Sequence, residues 1–467
     1  MTANNEVNNA EVNLKVTKPK SKVEAKGGWA RRIARSCGGC SLLLVIGLVT
    51  LAGMIYFKSQ TPDLVIPTPI MPTDNGYDDF VHAGRLAQAM RHQSPYSMPG
   101  LPAQTMTLRN FKACAKDAIP IEAALQQGLN KKFLCPPVRS AKTIQFTDFA
   151  LIRETARALA GKARYEALSG HPGQAADTLL DGYAMAVTLP RGGTIITLLM
   201  GIACEAIACR PLETVLPSLN EQELAHVALR LDKIAAGRVP LADILTEEGN
   251  VSAAMFLEMM HNPKNRGLGG LEGLGQIFGG GLNGSVTMEE RMMALSYLFK
   301  DKNVIALQHQ AFYKALAAES RLPYNTVSAV KTGNDPMLAM AAQTMTSIRG
   351  KYIGLETVGI LLRTVTALER YRRAHGIYPA DLNALVPAYL KSVPVDICTG
   401  KANLPLHYSL QGIGKASERS YLLYSVGIDM RDDGGSPQKN VADGTHGDIV
   451  AHHLWWKTPA ASASAKK

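Results

Sequence analysis

Apolar positions along this chain follow three different rhythms. Between Arg35 and Lys58 they run without a charge for 22 residues, SCGGCSLLLVIGLVTLAGMIYF. A bilayer core of about 30 Å needs about 20 apolar residues as helix. Backbone in hydrocarbon must satisfy its own hydrogen bonds, so the stretch predicts one membrane-spanning helix. From residue 74 to 350 the apolar positions recur at three- and four-residue steps, as in Ile152, Ala156, Leu159, Ala163 and Ala167, which predicts packed helices. Asp74 or Asn75 offers an N-cap to a first helix with Tyr77, Phe80, Val81 and Leu86 inward. Gly170, His171, Pro172 and Gly173 break one helix from the next, which runs from Gln174 to Val187. Further helices are expected over 192–209, 221–235, 240–260, 288–299 and 302–320, with Asn220 and Glu223 forming a capping box. From Thr357 a last long helix turns Ile360, Leu361, Val365, Leu368 and Tyr371 to one side and stops at Gly376, before Tyr378 and Pro379. A short helix ADLNALVPAYL follows, and then strand-like runs PLHYSL, SYLLYSVG and GDIVAHHLWW. Helix first and small antiparallel sheet second is an α+β arrangement.

Charge orients the first element. Residues 1–36 hold eight Lys or Arg and three Glu, and cationic flanks stay in the cytoplasm. The N-terminus is therefore expected inside, with everything after Phe57 extracytoplasmic, at a bacterial inner membrane. A cleaved signal peptide is the competing reading; it would need an unusually long leader, and no small-x-small site follows Met54. Residues 1–28 are polar and expected to be disordered. The formal charge is +11, of which the N-terminal tail supplies +5. The rest is mild and scattered, which argues against a nucleic-acid partner and leaves the membrane as the expected one, with the protein partner unspecified. Pro62, Pro67, Pro69 and Pro72 in SQTPDLVIPTPIMPT predict an extended, stiff spacer that lifts the next domain off the bilayer.

Cys37 and Cys40 sit at the cytoplasmic mouth, as acylation sites or as small residues of a helix end. Beyond the membrane stand Cys114, Cys135, Cys204, Cys209 and Cys398. Cys114 and Cys135 could close a disulfide loop; Cys204 and Cys209 read as small buried apolar residues. The Gly-rich run GLGGLEGLGQIFGGGLNG lacks the preceding strand and the GK[ST] of a phosphate cradle, so it reads as a surface loop.

In the C-terminal region four motifs occur in order: Gly376, Ile377, Tyr378, Pro379; Pro394, Val395, Asp396; Tyr424, Ser425, Val426, Gly427, Ile428, Asp429; and Gly447, Asp448, Ile449. This segment of roughly 100 residues resembles the soluble domain of the major pseudopilins of type II secretion. The whole chain resembles a group of uncharacterised bacterial membrane-anchored proteins with the same layout. The long insertion between the apolar stretch and this segment departs from the pseudopilin pattern, so polymerisation by that route is not expected. A tetratricopeptide-like repeat is weakly resembled around Gly170 and Ala175, without tandem copies.

Asp429, Asp432, Asp433, Asp443 and Asp448 fall within 20 residues. Calcium takes six to eight oxygens, and the resemblance implies a structural calcium with Asp429 and Asp448 as ligands; Asp432 and Asp433 are local candidates. A solvated Asp- and Gly-rich turn is the alternative. His446, His452 and His453 lack a zinc framework. No GxSxG, Walker A, kinase or zincin pattern occurs.

The expected organisation is a basic tail over 1–35, a transmembrane helix over 36–57 and a Pro-rich linker over 58–75. An irregular α-hairpin domain over 76–350, a pseudopilin-like α+β domain over 351–457 and a flexible tail over 458–467 complete it. The function expected is a structural or interaction protein of the envelope, linked to secretion-type assembly. The alternative is an envelope hydrolase with its site in the helical domain.

Overall fold

The computed structural model describes residues 44–54, 63–91, 108–140, 143, 146–261, 300–326, 330–332, 335–400, 404–410, 421–437 and 447–451. The chain divides into two compact units, Met1–Phe57 and Lys58–Lys467. In the first, Leu44–Met54 form a helix, α1. Its apolar side chains are exposed: Leu44, Val45, Ile46, Leu48, Val49 and Met54 each leave about half or more of their surface uncovered.

The second unit contains α2 (Gly76–Arg91), α3 (Leu108–Leu129), α4 (Phe146–Leu168), α5 (Pro172–Thr188), α6 (Ile195–Val215), α7 (Glu221–Ala236), α8 (Leu241–His261), α9 (Lys302–Glu319) and α10 (Pro336–His375). After α10 come single 3-10 turns at Leu382–Leu385 and Ile397–Thr399, and strands β1 (His407–Leu410), β2 (Tyr421–Ser425) and β3 (Ile449–Val450). The fold is mostly helical with one small antiparallel sheet of order β1-β2-β3. His407 pairs with Tyr424, and Tyr424 with Val450.

Local signals explain most of these elements. The Asn75 side chain accepts from Tyr77 N–H at 3.2 Å, capping α2, whose Tyr77, Phe80 and Val81 are buried as the periodicity requires. Asn220 and Glu223 make the reciprocal capping box of α7. Gly376 closes α10 at φ +78°, a backbone that a side chain would strain. The helix expected over ADLNALVPAYL shrinks to a 3-10 turn, because Pro387 has no N–H to continue the ladder.

Helices α2 to α6 enclose one core around Phe80, Leu125, Ile152, Leu159, Met185 and Leu189. A second core joins Leu180, Leu212, Leu224 and Leu231 to Leu361, Val365 and Leu368 of α10 and on to Leu385, Leu423 and Ile449. Each of these leucines adds about 1.5–3 kcal/mol of burial. The helices and the sheet therefore share an interior. The boundary expected at residue 350 falls inside the 40-residue α10, so the helical and C-terminal regions are one compact unit.

Two other expectations are corrected. The Pro-rich spacer is extended but does not stand free. Leu64 and Ile66 pack on Phe256, Leu257, Ile305 and Ala306, and Leu64 N–H donates to Asn303 Oδ1 at 2.9 Å. Lys302 Nζ lies 2.8 Å from Asp63 Oδ1, and Arg139 Nη2 donates to the Pro67 carbonyl at 2.7 Å. Apolar residues among the prolines gain more by entering the α8–α9 groove than by staying in water. The second correction concerns Cys114 and Cys135, which are buried and outside any disulfide, as are Cys204, Cys209 and Cys398. The predicted helix 288–299, the Gly-rich run, Asp443, His446, His452, His453, Trp455 and Trp456 lie outside the described residues.

Candidate functional site

The acidic loop forms around the end of β2. Asp396, from the Pro-Val-Asp turn, is fully buried. Its carboxylate accepts from Cys398 N–H at 3.0 Å, Ser425 Oγ–H at 2.6 Å and Val426 N–H at 2.9 Å. Two of the motifs that are 28 residues or more apart in sequence thus meet through one side chain. Three donors on one carboxylate offset its desolvation and fasten the 394–399 turn to the β2 terminus.

Asp448 does the same for the following loop. It is 1 % exposed, and its two oxygens accept from Asp433 N–H at 3.2 Å and Gly435 N–H at 2.6 Å. Gly435 adopts φ +83°, and a Cβ there would press on the Leu422 side chain at 2.8 Å. Only glycine lets the backbone turn its amide onto Asp448 so close to β2. Burial, which outweighs these two N–H bonds, raises the Asp448 carboxyl above its ordinary range. Asp432 lies outward. The Gly434 N–H at 2.9 Å holds its carboxyl pKa below the ordinary range, and it also accepts from Tyr424 Oη–H at 3.0 Å. The Tyr424 hydroxyl is pushed up to about 12, chiefly by burial and then by that carboxylate. Asp429 accepts from Arg431 N–H at 3.2 Å within its own turn.

The structure thus brings Asp432, Asp433 and Asp448 to one loop. It does not turn them toward a common centre: among the described residues no three His, Cys, Asp or Glu side chains are arranged to hold a metal ion. Both oxygens of Asp448, the deepest carboxylate, already face N–H donors.

Three further polar groups are buried away from the loop. Arg238 forks onto Glu205, Nη1 to Oε1 at 3.0 Å and Nη2 to Oε2 at 2.8 Å, beside Tyr183. Lys162 joins Glu122, Glu166 and Thr178 between α3, α4 and α5. Ser252 Oγ lies 2.9 Å from His309 Nδ1, and His309 Nε2 lies 4.0 Å from Asp335 Oδ2. Sequence reading missed this last set, because serine, histidine and aspartate stand 57 and 26 residues apart without a motif. The set has the residue types of a nucleophilic triad but not its surroundings. Ser252 sits mid-helix in α8, where backbone N–H groups are spent within the helix and none can stabilise an oxyanion. His309 is 1 % exposed, and desolvation lowers its pKa below the ordinary imidazole range. It reads as a core histidine joining α8, α9 and the start of α10.

A cavity of about 730 Å³ opens between α2, α3, α4 and α6. Ala118, Ala158, Ile121 and Leu179 line it, with Asp117, Glu154, Arg157 and Arg164 among its polar groups. The buried thiol of Cys114 also lines it.

Compared with known proteins, the chain matches no family model, and neither a curated protein nor a solved structure shows significant similarity to it.

Proposed function

We propose that the chain is a single-pass, membrane-anchored structural or interaction protein, with its N-terminus in the cytoplasm and the Lys58–Lys467 unit outside. One observation carries this reading. The α1 side chains are apolar and uncovered, a state that water penalises and lipid favours. The 22-residue uncharged stretch around α1 has the length of a span, and the cationic residues before it give the orientation. Among the described residues one helix, Ile195–Ser218, is long and apolar enough to cross a membrane, and it is half buried in protein; the described part of the N-terminal stretch, Leu44–Met54, is a shorter apolar helix.

The pseudopilin-like reading of the C-terminal region belongs to the same proposal. It is supported by the order of elements: a long helix, the glycine turn, two aspartate-pinned turns and a three-stranded antiparallel sheet. Together with the helical array it suggests a role in envelope or secretion-related assembly, where such an array offers an extended binding surface. Calcium is left out of the proposal, because among the described residues no three acidic side chains are grouped to hold an ion. Thermal unfolding with excess Ca²⁺ and with chelator checks this, and a midpoint raised by Ca²⁺ alone would restore the site.

The experiment for the main reading is fractionation followed by proteolysis. The intact chain is expected to resist alkaline extraction from membranes. Protease added outside sealed protoplasts is expected to digest the Lys58–Lys467 unit and spare the basic tail. Recovery in the aqueous fraction would sink the proposal.

A further inference from the structure

The docked strap bears on what the outer unit faces, given the membrane-anchored reading on which this inference rests. The apolar stretch ends at Phe57, and Asp63 follows six residues later. Whatever path they take, six residues reach at most about 20 Å. At Asp63 the chain is fastened: the Lys302 that meets it is 5 % exposed, Asn303 accepts from Leu64 N–H, and Leu64 and Ile66 enter the α8–α9 core. The first turn of α9 therefore cannot stand far from the lipid surface.

That end presents apolar side chains outward. Along the strap Leu64 and Ile66 point in, so Val65 between them points out and is 88 % exposed. Val304 and Leu307, three residues apart on one face of α9, are each 49 % exposed. Three such side chains are far smaller than the roughly 800 Å² per partner of a stable protein interface. They suit the boundary between headgroups and acyl chains, where shallow apolar insertion is favourable. We infer that the strap and the N-terminal turn of α9 form a membrane-contact surface, with Val65, Val304 and Leu307 seated in the bilayer interface. The strap then acts as a clamp that holds this end of the unit on the lipid, the opposite of a spacer.

The test uses the full chain carrying Cys37→Ser and Cys40→Ser. The remaining five cysteines are buried, so an introduced exposed thiol labels selectively. Val304→Cys, Leu307→Cys and, as a control, Leu229→Cys on α7, which is 71 % exposed, each receive an environment-sensitive fluorophore. The labelled chains are reconstituted into phosphatidylcholine–phosphatidylglycerol vesicles with and without nitroxide lipid. Quenching several-fold stronger at 304 and 307 than at 229 is expected. Adding Asp63→Asn and Asn303→Ala, which unfasten the strap, is expected to remove that contrast. Equal quenching at all three positions in vesicle-bound chain overturns the inference and leaves the anchor standing. A contrast that survives unfastening overturns the clamp. A blue-shifted label at 304 that nitroxide lipid does not quench assigns the face to a second copy of the chain, and also overturns it. Failure of the chain to float with the vesicles overturns the anchor itself, a separate result read before any quenching.

Discussion

Helices α1 and α6 are both apolar, yet they solve opposite problems. In α1 the leucines and valines are exposed, and no charge interrupts the surrounding stretch. In α6 Leu198, Leu212 and Cys209 are buried in protein, and two glutamates, Glu205 and Glu213, are buried with them. A charge inside a helix is tolerable only where a partner desolvates with it, and Arg238 supplies that partner for Glu205. Mean apolarity over 18 residues cannot tell these cases apart. The buried carboxylates can, because lipid offers no guanidinium.

This contrast is breakable in four ways. The largest effect is expected from Arg238→Met, which leaves Glu205 buried and unpaired; the full chain in detergent should lose about 3–5 kcal/mol in denaturant unfolding. Leu212→Ala, at a fully buried α6 position, should cost about 2–5 kcal/mol, while Leu48→Ala in α1 should leave unfolding of the outer unit unchanged. An equal loss from both would place α1 in a protein core. Leu48→Arg should instead disfavour insertion by about 2.5–3.5 kcal/mol, seen as a larger fraction extracted by alkali. Leu199→Arg, on the exposed side of α6, should not alter extraction.

The smallest effect is a pH dependence. Burial raises the Glu356 carboxyl, against the opposing pull of Arg238 in the same cluster. The folded chain holds this proton more tightly than the unfolded chain does. Its contribution is therefore fully present below the unfolded value of about 4.3 and is lost as pH rises through the folded value. Glu356→Gln removes that loss. Its melting temperature relative to wild type should climb as pH rises above about 4, and a flat difference would show that the carboxyl is not perturbed.

Much of the fold was legible along the chain, and the reason is local. The Asn75 and Asn220 caps, the Gly170 turn, the Leu361–Val365–Leu368 stripe and the stop at Gly376 act within a few residues, so spacing alone discloses them. The motif aspartates were visible as residues but not as partners. Asp396 lies 29 residues from Ser425, and Asp448 lies 13 from Gly435, distances that only a folded sheet closes. Their carboxylates look like cation ligands in a list of letters. In three dimensions those of Asp396 and Asp448 accept backbone N–H groups that pin the turns.

By itself the sequence determined that the chain is mostly helical, that it ends in a small antiparallel sheet, and where an uncharged span-length stretch lies, because periodicity and hydrophobic length are one-dimensional quantities. Tertiary structure alone decided that α10 and its shared core merge the helical and C-terminal regions, that the proline segment is fastened to α9, and that α6 buries one side in protein. Each of those outcomes depends on which surfaces meet, and burial is a property of the meeting surfaces that no single segment carries.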